Sequence, residues 1–122
     1  MKVLRIYVDD PKAIKKVIGP NVQIVRARCV EEVMHAVRLS ERAFKRGTNH
    51  AKTIGGEVLM RLAGTVQIRE AIDKVGLSKG FNYVILFNDE IPEGLKVVGD
   101  NGECEDVELK RSFERMALVE VL

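Results

Sequence analysis

MHAVRLSERAFKRGTNHAKTIGGEVLMRLAGTVQIREAIDKVG, residues 34–76, is the stretch whose reading decides the fold. It reads as three helices in quick succession, joined by a polar, glycine-bearing loop from Arg46 to Lys52 and by a tight junction at Ala63, Gly64 and Thr65. The first helix is predicted over Val30 to Arg46. Val30, Val33, Met34, Val37 and Phe44 recur at helical spacing on one face, and Gly47 stands where a left-handed C-terminal residue is expected. A second strip, His35, Arg38, Arg42, Lys45 and Arg46, stacks along another side. Glu41 is placed to pair with Arg38 or Lys45. Arg42 and Arg46 have no acid three or four residues away in either direction, so local ion pairs leave them unexplained. A solvated helix face and a binding ridge account for this strip equally well.

The loop adds Thr48, Asn49, His50 and Lys52. Binding residues collect on loops because a rigid scaffold can aim them without disturbing the core. Thr48, Asn49 or Thr53 would equally serve to cap the next helix. That helix, Ile54 to Ala63, buries Val58, Leu59 and Leu62, with Arg61 able to face the loop, and Gly64 ends it. Thr65 is the expected N-cap of the third helix, whose apolar stripe is Ile68, Ala71, Ile72 and Val75 and whose stop is Gly76.

A chain of 122 residues with 46% hydrophobic content supports one ordinary core, so a single domain over 1–122 is expected. The net charge of +2 is too small to announce a nucleic-acid binder; clustering decides that, not the total. Apolar runs are too short for a membrane span, and MKVLRIYVDD alternates and turns instead of forming a signal peptide. No membrane association and a cytoplasmic location are the expectation. Cys29 and Cys104 lack metal-ligand spacing and are expected to stay reduced.

Outside the central stretch, Val3 to Val8 reads as a strand. Asp10 caps a short helix beginning at Pro11, and Gly19-Pro20 stops it. Asn21 to Arg28 reads as a second strand. Asn82 to Phe87 (NYVILF) is the strongest, apolar enough for an interior position. Asn88 to Gly102 is turn-rich, with Leu95 to Val98 as a candidate edge strand. The order predicts an α/β fold: a small mixed β-sheet packed with helices, built around the three-helix unit.

The last element, Asp106 to Leu122, puts Leu109, Phe113, Met116 and Ala117 on one helical face for the core. Leu118, Val119, Val121 and Leu122 follow almost without a break. Contiguous exposed hydrocarbon marks an interface, which favours a polypeptide partner here over a terminal strand burying alternate residues.

A search for catalysis returns absences: no GxxxxGK[ST] loop, no glycine fingerprint after a strand, no HExxH and no serine elbow. His35 and His50 are separated in sequence from either cysteine. Asp9-Asp10 and Asn88-Asp89-Glu90 fit turn chemistry better than a metal site. No catalytic residue, metal or cofactor is assigned, and a binding or activating subunit is the better reading.

Three ordered blocks within the central stretch, ERAF-x-RGTNHAK, GE-x-L-x-RLAGT and QI-x-EA-x-x-x-VG, resemble the smallest core subunit of the archaeal and eukaryotic KEOPS complex, the PRPK-binding protein (TPRKB) family. They cover about a third of the chain without gaps, and NYVILF and ERMALVEVL fit more loosely. Val66 and Gly55 depart from the pattern, where relatives commonly carry an arginine and an acid.

The resemblance implies a non-catalytic subunit of the complex that makes threonylcarbamoyladenosine in tRNA. Such a subunit binds and stimulates the atypical kinase/ATPase subunit and recruits tRNA by its single-stranded 3′ CCA end. Carried onto this chain, Arg42, Lys45, Arg46 and Lys52 would meet phosphates, while Asn49 and His50 would meet bases. Aromatic content is only 5%, so guanidinium stacking and polar contacts would have to substitute for rings. Met116, Leu118, Val119, Val121 and Leu122 would meet the kinase subunit, on a separate face. The alternative is a purely structural adaptor whose basic ridge meets acidic protein surface.

Overall fold

The computed structural model describes residues 1–99 and 104–122. In chain order the elements are β1 (Lys2–Val8), α1 (Pro11–Ile14), a 3-10 turn (Lys15–Val17), β2 (Val22–Val25), α2 (Val30–Arg46), α3 (Ile54–Ala63), α4 (Ile68–Val75), β3 (Gly80–Leu86), β4 (Lys96–Val97) and α5 (Asp106–Val119). The helices and the sheet give the expected fold class. The turn-rich stretch expected from Asn88 extends at its far end beyond the described residues.

The sheet runs β2-β3-β1-β4. It is antiparallel throughout and so not of mixed direction. Lys2 faces Leu86 and Val8 faces Gly80 across β1 and β3, while Val22 faces Leu86 and Val25 faces Tyr83 across β2 and β3. Side chains alternate across each strand, and both faces are covered. On one side Val25, Tyr83 and Ile85 pack with Val33, Val37, Val58, Leu62 and Met116 of the helices. On the other, Ile6, Val8, Ile24, Val84 and Leu86 are covered by Ile14, Val17, Ile18, Leu77 and Leu95. Burial on both faces explains why β3 is continuously apolar from Tyr83 to Leu86 instead of alternating. It is one of the two inner strands.

The edge at β2 is closed locally. Val22 exchanges main-chain hydrogen bonds with Gly19, Arg26 N–H donates to Val75, and Gln23 Oε1 accepts from Ile24 N–H at 2.9 Å. Arg26 also caps the end of α4, donating to the carbonyls of Gly76, Asp73 and Lys74 at 2.8–3.0 Å. Gly55 lies against this corner. A Cβ there would stand 2.9 Å from Gln23 Nε2, so an acid at this position would displace the side chain that seals the edge.

Helix ends follow their sequence signals, with one shift. Gly47 (φ 71°) closes α2, and Thr48 N–H returns to the Ala43 carbonyl at 2.9 Å. Gly64 (φ 73°) closes α3, and a Cβ there would also collide with Arg115 Cγ at 2.5 Å. Thr53 caps α3 through Gly56 N–H at 3.0 Å. Thr65 is not the N-cap of α4, which is Gln67. The Thr65 hydroxyl instead accepts from Gln67 N–H and donates to Glu70, fixing the turn that leads into the helix.

Cys29 and Cys104 form a disulfide, with Cα atoms 5.4 Å apart, which corrects the expectation that both stay reduced. Spacing in sequence concealed it: the fold brings the residue before α2 beside the residue two before α5. The core face of α5 also differs from expectation. Ser112, Met116 and Val119 are buried, Leu109 and Phe113 are half-buried, and Ala117 is exposed. In α2 the buried stripe runs through Val33, Ala36, Val37, Ser40 and Ala43, leaving Met34 and Phe44 at its margin.

Candidate functional site

The C-terminal half of α2 carries Arg42, Lys45 and Arg46 to the surface, and the following loop carries Lys52; all four are exposed. Among the described residues none of the four lies in an ion pair, and Glu41 reaches neither Arg38 nor Lys45. Arg38, Arg42 and Lys45 border an open depression of about 640 Å³ that Glu41, Phe44 and Ile54 also line. Ile54 had no functional signal in the sequence; it enters because the loop folds back beside Phe44. Arg46 stands apart from that depression, within electrostatic reach of Glu120.

The loop is built rigidly by its own contacts. Asn49 Nδ2 donates to the Ala51 carbonyl at 2.8 Å. Glu57 Oε1, at the start of α3, accepts from both His50 N–H and Ala51 N–H at 2.8 Å. The His50 ring lies with Nε2 3.0 Å from the Val119 carbonyl. A carbonyl only accepts, so this nitrogen carries the proton. The Thr48 hydroxyl donates to Glu120 Oε1 at 3.2 Å. Asn49 and His50 are thus held in place before any ligand arrives, each with part of its hydrogen-bonding capacity already used.

Behind the loop lies a buried charge relay that the sequence motif did not explain. Glu57 and Arg61 are fully buried, one helical turn apart on α3. Arg61 Nε donates to Glu57 Oε2 at 3.0 Å; Nη2 is equally near that oxygen but out of line for a hydrogen bond. Nη1 continues outward to Glu120 Oε2 at 2.5 Å. The Arg61 hydrogen bond holds the Glu120 carboxyl below the usual carboxylate range, against the opposing effect of burial; Thr48 and Arg46 add to the lowering. Burial first, then Arg38 and Arg42, holds His35 below the usual imidazole range, where its ring stacks on Phe113 at 4.0 Å between centroids.

The apolar residues at the end of α5 divide. Leu118, Val121 and Leu122 are 62%, 81% and 65% exposed, whereas Met116 and Val119 have no exposed surface. The expectation that Met116 and Val119 face a partner is therefore corrected. Helical spacing from Ser112 sends both side chains into the core, and the residues between them point away. The two candidate surfaces also adjoin instead of occupying separate faces, because Thr48, His50 and Arg61 fasten the end of α5 to the loop. No helix among the described residues is long and apolar enough to cross a membrane.

No protein-family model matches the chain. Among curated proteins, the KEOPS complex subunit Cgi121 of Pyrococcus abyssi (strain GE5 / Orsay) is 44% identical to it over 111 residues, in a match covering 84% of this chain. The chain spans 65% of the length of that relative.

Proposed function

The chain belongs to the family of the archaeal KEOPS small subunit, and on that premise we propose that it serves, as one domain and without catalytic activity of its own, in a tRNA threonylcarbamoyladenosine-modification complex. In this reading it is cytoplasmic, binds and activates the atypical kinase/ATPase subunit, and recruits tRNA through the 3′ CCA end. The observation that carries the RNA half is the ridge. Arg42, Lys45, Arg46 and Lys52 are exposed and make no ion pair among the described residues, beside a loop whose Asn49 and His50 are already fixed. Cations without a direct ion pair, next to ordered polar groups, suit a single strand, whose phosphates and unstacked base edges are both accessible. Leu118, Val121 and Leu122 support the partner half, as apolar side chains left outside the core.

A gel shift with intact tRNA and with tRNA lacking its CCA tests the proposal. Binding that weakens on removal of the CCA is expected. Equal binding, or none, returns the chain to the role of structural adaptor.

A further inference from the structure

Three polar side chains from two different segments converge on the last turn of α5. Thr48 meets Glu120, the His50 ring meets the Val119 carbonyl, and Arg61 meets Glu120 from below. Arg61 in turn holds Glu57, and Glu57 holds the main-chain N–H groups of His50 and Ala51. The end of α5 and the loop are therefore joined twice, directly and through the buried relay. Within α5 the fully buried residues are Ser112, Met116 and Val119, and in the final turn these polar ties act beside the packing of Val119.

We propose that the last turn of α5 is a positioning element for the nucleotide-binding loop, and that a polypeptide seated on Leu118, Val121 and Leu122 and a single-stranded RNA seated on the ridge each favour binding of the other. This rests on the function proposed above and adds its regulation. The sign follows from two states. In one, the turn is seated and the loop fixed; in the other, the turn has lifted and released Thr48, His50 and Arg61. A docked polypeptide needs the seated turn, because only there do Leu118, Val121 and Leu122 stand in a set arrangement. RNA needs Asn49 and His50 in place. Both ligands select the same state, so coupling is positive and equal in both directions.

The test titrates a labelled RNA ending in a single-stranded CCA against the full chain and against its assembly with the kinase subunit, whose own RNA binding is measured alone. The wild-type assembly should bind the RNA roughly 5–150-fold more tightly than the free chain, the usual span of such coupling. Thr48→Val combined with Glu120→Gln cuts one of the two direct ties, leaving the His50 ring on the Val119 carbonyl, and removes the charge facing Arg61. That variant should lose most of the gain while still assembling, and its His50 and Ala51 amides should exchange with solvent several-fold faster. RNA bound with no gain in the wild type, an undiminished gain in the variant, or unchanged exchange at those amides overturns this inference alone. Absence of RNA binding in chain and assembly alike overturns the proposed function, and this inference with it.

Discussion

Arg61 reaches from α3 to Glu120 beyond the end of α5, with Nη1 2.5 Å from Oε2, while its Nε holds Glu57 at 3.0 Å. One buried guanidinium thus ties the start of α3, and through it the loop, to the far end of the chain. The glutamate and arginine of the GE-x-L-x-RLAGT block are structural in this sense: they fix the loop that presents the proposed ligand contacts.

Replacing Arg61 by methionine should strand the Glu57 carboxylate, which is fully buried, without its cation. Removing one partner of a buried pair costs about 3–5 kcal/mol. Urea denaturation of Arg61→Met measures this. A loss below about 1 kcal/mol would mean that water or a rearranged side chain replaces the guanidinium.

Acid should loosen the end of α5. Folding lowers the Glu120 pKa, so in the window between the folded and unfolded values it is the unfolded chain that binds the extra proton. The stabilisation is full above the ordinary glutamate value of about 4.3 and is lost as pH falls through the lower folded value. Melting temperature followed into acid should fall less steeply for Glu120→Gln than for the wild type. Parallel curves would remove Glu120 from the pH response.

Reduction of Cys29–Cys104 should destabilise the protein. The bridge spans a sequence separation of 75 residues, and cross-links typically contribute about 2–4 kcal/mol, with chain entropy for so long a loop at the upper end. Melting with and without dithiothreitol, and in Cys104→Ser, is the check. A reduced form as stable as the oxidised one would mean that the packing of α5 alone holds its start.

At the other end of α5, Leu118→Arg and Val121→Arg should leave the melting temperature nearly unchanged and abolish co-purification with the kinase subunit. Met116→Ala should do the reverse, costing about 2–5 kcal/mol as a core cavity while sparing the exposed face. Unfolding of Leu118→Arg, or its undisturbed assembly, would remove the exposed residues from the interface.

How much of this was legible in the sequence depended on the kind of signal. Elements with strong periodicity or clear punctuation came through: α2 and α3 match their expected spans, and Gly47, Thr53 and Gly64 do the capping work expected of helix ends. The exposed ridge on α2 was also visible, because Arg42 and Arg46 lack local acids. Contacts between segments distant in sequence were not. Nothing in the spacing of Cys29 and Cys104 revealed a bridge, and nothing in Glu120 announced Thr48 and Arg61 as its partners. The apolar run at the end of α5 was ambiguous because, with hydrocarbon on almost every side, periodicity alone could not show that Met116 and Val119 turn inward.

The central claim is that the cations on α2 and its loop hold a single-stranded RNA end. The most direct measurement titrates tRNA against the wild type and against Arg42→Glu with Arg46→Glu over a salt series, with melting temperature recorded for both. For two to four phosphate contacts, wild-type affinity should fall with salt at a slope of about −0.7 per contact. The double variant should bind far more weakly, with a shallower slope and an almost unchanged melting temperature. Equal RNA affinity in the two proteins, or a collapse in the stability of the variant, would contradict the account.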